Sequence, residues 1–455
     1  MEDSVYRHHG SMSIMQSLKK DDSKRESDRS FNVLQMIQKL VANDRTLQLL
    51  GPLIGPVNLV SPRYRRDPHA TWRSLREENR LVFNRTFQSW LLTRYEDAQT
   101  ALQSPYLSSD RKQVPAVRIA LWFNRNEPAL LDFLQRNLLM NEGEQHRRLR
   151  KIVSKAFTPR RVNELRPRLE ELAEDLLDQA CHGGTIELVG DFAYPFPVAA
   201  IAELLGIPIS DREKFFQWTG DLVQILDPLQ GTEGAESMRR ATQDLYAYFR
   251  PLLAERRASP QEDLMSAMIA AEDTGESLTE GDMIALCVLL LAAGHETTAN
   301  LIGVSVLNLL RHPEQRQRLQ DDLGLLPTAV NEFLRFESPV QMTDRAVVED
   351  FEIAGRRFRR GKVLGISIVS ANRDPAQFEN PDVLDLGREH NPHLALGHGA
   401  HFCLGAQLAR LEGEIALGAL LRRFPNFRGP TDPPAWRRST ILRGPTQLPL
   451  SVGTS

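Results

Sequence analysis

The stretch Leu396-Gly397-His398-Gly399-Ala400-His401-Phe402-Cys403-Leu404-Gly405 decides how this chain is read. One cysteine stands between glycines at 397, 399 and 405, and Leu404, Leu408, Leu411 and Ile415 then recur at three- and four-residue spacing, the signature of a helix face. Glycine admits positive φ and lets backbone approach a ligand closely. A sulfur held where such a loop becomes a helix meets amide N–H groups and the positive end of the helix dipole, and both favour the thiolate. A lone free cysteine more often packs as a small apolar side chain. The glycine spacing marks Cys403 instead as an anionic metal ligand.

A second segment lies upstream. Thr279 and Asp282 form a possible capping box, and an apolar pattern then runs to Arg311-His312-Pro313, where proline ends the helix. About 30 residues at 1.5 Å each give a helix of ~45 Å. Its middle holds Ala293-Gly294-His295-Glu296-Thr297-Thr298, polar groups that are costly to bury without a purpose. A zinc-protease helix would need His-Glu-x-x-His, and Ala299 occupies the place of the second histidine. His146 and Arg150, four apart, share one helix face, as do Glu332 and Arg335, three apart.

The cysteine stretch resembles the haem-binding loop of the cytochrome P450 family, Phe-Gly-x-Gly-x-His-x-Cys-x-Gly, with Leu396 in place of the usual phenylalanine. The helix segment is similar to that family's oxygen-activation motif, Ala-Gly-x-Asp/Glu-Thr-Thr. The likeness extends from Thr93-Arg94-Tyr95-Glu96-Asp97-Ala98 almost to the C-terminus.

The resemblance implies the cytochrome P450 fold, mainly α with a smaller β portion, and haem b (iron protoporphyrin IX) with Cys403 as axial thiolate. It implies haem propionates received by His146, Arg150, Arg345 and His401, with Gly397 in the haem loop. Ala293 and Gly294 would make room for O2, Thr297 would hydrogen-bond it, and Glu296 would help relay protons. Glu332, Arg335 and Arg388 would form a scaffold trio. The implied activity is monooxygenation, by hydroxylation or epoxidation, of a hydrophobic small molecule, in all expectation a secondary metabolite. Electrons would come from a ferredoxin-type or flavodoxin-type donor and its reductase. An isomerase or peroxide-using haem-thiolate enzyme is the alternative, and a non-catalytic zinc scaffold using His393, His398, His401 and Cys403 a more distant one.

Composition sets the remaining bounds. Lys and Arg number 56 against 59 Asp and Glu, so no basic surface suited to nucleic acid is implied. Three scattered cysteines make no disulfide framework. The most apolar run, Met283–Ala293, is about half the ~20 residues of a membrane span, so no span and a cytoplasmic location are expected. Residues 1–45 read as a flexible extension ahead of a single haem-thiolate domain, 46–455, with a short amphipathic helix around Val33–Val41.

Further local expectations follow. Residues 81–95 should make a hairpin, and the 105–140 region, with Leu121-Trp122-Phe123, should cap the pocket. The resemblance implies a mobile lid in the region 212–240, which holds Phe215, Phe216 and Trp218 before a loop, without fixing which residues there meet the substrate. Val340 and Gln341 should stand near the pocket wall, and 434–452 should form a last hairpin reaching the substrate. Arg147, Arg148, Lys151 and Lys155 should face solvent and suit an acidic electron donor.

Overall fold

The computed structural model describes residue 59 and residues 61–85, 89–115, 117–118, 127–223, 232–273 and 278–453. The expected extension 1–45, its amphipathic helix and the cluster Leu121-Trp122-Phe123 lie outside these residues.

Short apolar and aromatic runs make β1 (Leu81–Asn84) and β2 (Ser89–Leu92) an antiparallel pair, with Leu81 opposite Leu92 and Phe83 opposite Trp90. There follow α1 (Tyr95–Gln103), β3 (Leu107–Ser108), α2 (Gly143–Ser154), α3 (Arg166–Ala180), β4 (Thr185–Glu187), α4 (Pro195–Leu205), α5 (Thr232–Ala258) and α6 (Glu280–Arg311). After these come α7 (Leu326–Phe336), β5 (Met342–Val347), β6 (Val363–Ser367), α8 (Ala406–Arg423) and β7 (Pro449–Ser451). A five-stranded sheet has the order β1-β2-β6-β5-β3, with β2 and β6 parallel and the other pairs antiparallel. Helices supply most of the rest, as the sequence leads one to expect.

The capping box forms as predicted. Asp282 N–H donates to Thr279 Oγ1 at 3.1 Å, and Thr279 N–H donates to the Asp282 carboxylate at 3.1 Å. From there α6 runs for 32 residues and packs against α4, α5 and α8. Two segments, Leu188–Leu205 and Glu280–Arg311, are long and apolar enough to cross a bilayer, yet 67% and 78% of their most apolar windows is buried inside the protein. Their apolar character is that of core helices.

Three local readings need correction. Arg148 does not join a free cationic surface: it is half-buried and reaches Asp282 at 3.2 Å, beside Arg136 at 3.1 Å. Two guanidinium groups thus meet the carboxylate that caps α6, which leaves Arg147, Lys151 and Lys155 as the exposed cations of that stretch. Phe215, an aromatic of the region where the lid is expected, packs in the core: it is fully buried against Trp218, Tyr248 and Phe249. The hairpin expected over 434–452 forms only in part: its limbs meet antiparallel around Trp436 and Pro445 without a regular ladder, and the last strand, β7, pairs with β4. Trp436 and Pro445 share only an isolated bridge; Pro433, Pro434, Pro445 and Pro449 lack the N–H that a regular ladder needs.

Behind the cysteine loop the trio forms. Glu332 and Arg335, both fully buried, pair at 2.7 Å, and Arg388 Nε reaches Glu332 at 3.2 Å. Asn391 and the Asp385 N–H also donate to that carboxylate, each at 3.0 Å, while Arg335 donates to the carbonyls of Asn372, Pro381 and Val383. A buried charge is tolerable when its hydrogen bonds are filled in this way; losing one partner strands the other. Arg335→Ala should therefore cost about 3–5 kcal/mol, read as a lower denaturation midpoint. A loss below about 1 kcal/mol, the range of exposed pairs, would show that Glu332 is solvated.

Candidate active site

The cysteine loop is built by its glycines. Gly397 and Gly399 have φ of 75° and 71°, and a Cβ at 399 would lie 2.8 Å from the Leu102 carbonyl oxygen, so only glycine lets the loop dock on the end of α1. Cys403 N–H donates to Leu396 O at 2.7 Å, closing the loop. Arg150 Nη2 donates to Phe402 O at 2.6 Å and ties the loop to α2. Cys403 therefore sits just ahead of the first turn of α8. Burial pushes its thiol up, against the Gly405 N–H and the guanidinium groups of Arg150 and Arg410, which favour the thiolate. A bound metal cation would complete that shift, because a coordinating thiol is deprotonated outright.

Cys403 opens onto a cavity of about 350 Å³ whose lining also includes Leu396, Gly397, Ala293, Gly294, Glu296 and Thr297. The two motifs, more than a hundred positions apart, therefore serve one space. Val340 lines it as expected. Gln341 does not: its backbone bonds to Ile441 and Val369, and its amide nitrogen donates to Ser338 O at 2.6 Å.

One edge of the cavity is rich in cations and imidazoles. Arg345, 8% exposed, donates to Asp344 O and Thr343 Oγ1 at 2.8 and 3.3 Å but, among the described residues, to no carboxylate. Arg150 likewise has a carbonyl partner only. The Nε2 atom of His146 is buried with no partner. Burial, then the neighbouring His401, push the His146 pKa down to about 4, so the ring is neutral at pH 7. His401 stacks on His146 with ring centres 4.2 Å apart, and its Nε2 faces Glu142 at 3.1 Å. Glu142 also accepts the Ser109 N–H; burial opposes its ionisation, but these bonds hold the carboxyl below the usual range. His401 thus already has a carboxylate partner, which the sequence does not suggest.

On α6, Thr297 Oγ1 donates to Ala293 O at 2.8 Å and Thr298 Oγ1 to Gly294 O at 3.1 Å. Ala293 faces the cavity. Gly294 lines it too, and a Cβ there would lie 2.8 Å from the Ile201 side chain, so its smallness also admits α4. Burial pushes the Glu296 carboxyl up, and Arg437, 3.0 Å away, pulls it back. His295 points elsewhere, Nδ1 to Leu291 O at 2.7 Å and Nε2 to Tyr194 Oη at 2.9 Å. Its pKa falls to about 4, chiefly through burial, so the neutral ring donates from Nδ1 and accepts at Nε2.

The zinc alternative finds no support. His393 faces Asn331, His398 faces Gln103 and His401 faces Glu142, and among the described residues no three potential ligands converge.

A family model described as "Cytochrome P450" matches residues 209–448. The chain is 40% identical to cytochrome P450 107B1 of Saccharopolyspora erythraea, over 86% of this chain and 96% of that one. It is 39% identical to the polyketide biosynthesis cytochrome P450 PksS of Bacillus subtilis, over 81% and 90%. This chain belongs to the cytochrome P450 family. Among solved structures, P450BioI in complex with a hexadec-9Z-enoic acid-ligated acyl carrier protein superposes with a TM-score of 0.80 at 35% identity, over 86% of this chain and 100% of that one. The protein is a cytochrome P450 monooxygenase whose cofactor is haem b with a cysteine ligand, and it uses O2 and electrons from a redox partner.

The residues of this P450 fit that cofactor. An apolar cavity carries a thiol on its wall, with two arginines lacking carboxylate partners and an orphaned imidazole nitrogen at its edge. Those are the complements of a macrocycle with two carboxylates.

Sequence reasoning does not single out Glu412 on α8, although an acid four positions from Leu408, on the helix face that carries Leu411 and Ile415, is a signal. It lines the cavity, 1% exposed, with Oε1 unpartnered, and burial pushes its pKa from 4.5 up to about 8. The folded state therefore binds the extra proton between those values, so this residue's contribution to stability falls as pH rises from about 4.5 to 8. Glu412→Gln should flatten that decline in thermal midpoint against pH; an unaltered slope would show the carboxyl is solvated.

Proposed function

We propose that Cys403 is the axial ligand of this P450 and that the enzyme inserts one atom of O2 into a hydrophobic acyl- or polyketide-type secondary metabolite. The reading is carried by one observation: the cysteine of the loop and the Glu296-Thr297 pair of α6 line the same cavity. His146, Arg150 and Arg345 would hold the haem carboxylates, with His401 joining them by leaving Glu142, and Gly397 would allow the loop to lie along the ring. When bound, haem b supplies the iron at which dioxygen is reduced and an oxygen atom is transferred.

The chain's own groups do the rest. With haem bound, the Cys403 thiolate would supply electron density to the iron, the property by which a thiolate ligand favours O–O cleavage. Thr297 would turn its hydroxyl from Ala293 O toward the space beside Ala293 and present a proton there, and Glu296, once released from Arg437 and protonated, would replace it. Leu289, Leu290, Val340, Ile441 and Leu442 give the cavity an apolar wall that selects a hydrophobic substrate and excludes water. The names of PksS, which refers to polyketide biosynthesis, and of P450BioI, seen with an acyl chain on a carrier protein, support that substrate class. A ferredoxin- or flavodoxin-type donor would dock by charge on the exposed Arg147, Lys151 and Lys155 of the α2 region, in the cytoplasm, as the bacterial relatives suggest.

Turnover under isotopically heavy O2 should place one heavy atom in the product and the other in water. Label arriving from water would overturn the monooxygenase assignment. Thr297→Ala should keep haem but divert reductant into peroxide; unchanged coupling would remove Thr297 from proton delivery.

A further inference from the structure

The carboxylate of Glu296 is held by a part of the chain far from its own helix. Arg437 Nη1 lies 3.0 Å from Glu296 Oε1, with the carboxylate side chain 8% and the guanidinium side chain 26% exposed. The same guanidinium donates from Nε to Asn300 Oδ1 at 3.2 Å. Glu296 and Asn300 are four apart, hence one above the other on a face of α6, and Arg437 bridges them.

The segment carrying Arg437 reaches that face because residue 444 is glycine: a Cβ there would overlap the Asn300 side-chain oxygen, 1.9 Å away. Its two limbs are fastened together. Arg437 N–H donates to Gly444 O at 3.1 Å, and Thr446 N–H to Ala435 O at 2.8 Å. Between the limbs, Ile441 and Leu442 form part of the cavity wall. Next to them Arg443 is anchored on the buried carboxylate of Glu337 and on Arg65 O. One short irregular loop thus carries both a stretch of substrate wall and the cation that faces the acid. Outside regular secondary structure such a loop shifts more readily than a helix, and the attraction of an ion pair falls as its separation grows.

We propose that Arg437 is a positioning residue, fixing the Glu296 carboxylate through an ion pair borne on the loop that walls the cavity, so that displacement of Ile441 and Leu442 by a bound substrate is transmitted to the acid. The inference rests on the reading of Glu296 as the proton-relaying carboxylate. Arg437 keeps that carboxylate ionised and turned toward Asn300; when the loop moves, the acid is freed to take up and pass on a proton.

The test uses the purified, haem-loaded enzyme without substrate, in the variants Arg437→Met, Arg437→Lys, Glu296→Gln, Leu442→Trp and the Arg437→Met/Glu296→Gln double variant. The first readout is the infrared C=O stretch of a protonated carboxyl. The second is the ratio of dioxygen consumption rates by the reduced enzyme in H2O and D2O. Arg437→Met should show a carboxyl band additional to that of the parent, in which Glu412 already carries a proton near neutral pH, and the double variant should lose the additional band. Arg437→Met should also change the solvent ratio severalfold, Arg437→Lys should restore both readouts, and Leu442→Trp should shift both in the direction of Arg437→Met. Should Glu296→Gln leave the solvent ratio at the parent value, the acid role itself falls. Should Glu296→Gln change that ratio while Arg437→Met changes neither readout, the positioning inference alone is overturned. A failure of Leu442→Trp to move the band overturns the transmission from wall to acid.

Discussion

The hydrogen bond from Cys403 N–H to Leu396 O, 2.7 Å long, is the constraint on which the site depends. It closes a loop that two positive-φ glycines have bent and that the end of α1 supports from outside. It thereby fixes the sulfur ahead of α8, where backbone amides and two guanidinium groups face it. Arg150 serves this constraint twice, through its bond to Phe402 O and through its charge near the sulfur. Behind the loop, the filled hydrogen bonds of Glu332 and Arg335 hold the 372–391 segment that leads into it. Position and electrostatics of the sulfur are thus one design, since the groups that place it also favour its anion.

The cavity shows the complementary logic. Burying Arg345 and His146 without carboxylate partners is unfavourable for the isolated chain, and leaving Glu412 with an orphaned oxygen is unfavourable too. Such costs persist where a ligand or a reaction repays them. The cation-rich edge suits an anionic prosthetic group, whereas the acids Glu296 and Glu412 line the same cavity. The opposed demands of the two regions are met by keeping them on different elements: α2, β5 and the cysteine loop carry the cations, α6 and α8 the acids.

Much of this was legible in the sequence, because the strongest signals are local. The glycine-cysteine spacing, the Ala-Gly-x-Glu-Thr-Thr run and the Thr279–Asp282 capping box each lie within ten residues, and hydrogen bonding within such a window follows from residue type. The partners supplied by tertiary structure were not legible. Arg437 is one of 56 lysines and arginines, and nothing near it announces Glu296; Glu142 likewise meets His401 across 259 positions. Gly294 lines the cavity as its motif implies, but the approach of Ile201 that its small size also permits is a tertiary contact no motif announces. Phe215 has the composition of a lid and the packing of a core, a difference set by Tyr248 and Phe249 on α5. Proline explains why the last hairpin is irregular: its limbs share backbone bonds at Arg437 and Thr446 but no regular ladder, and β7 pairs with β4.

The central claim, that the cysteine ahead of α8 ligates haem iron as a thiolate, is tested most directly by the absorption spectrum of the reduced protein under carbon monoxide. The parent should show the red-shifted Soret band of thiolate ligation, and Cys403→Ala should lose that band. A parent spectrum typical of imidazole ligation, or an unchanged band in Cys403→Ala, would contradict the account.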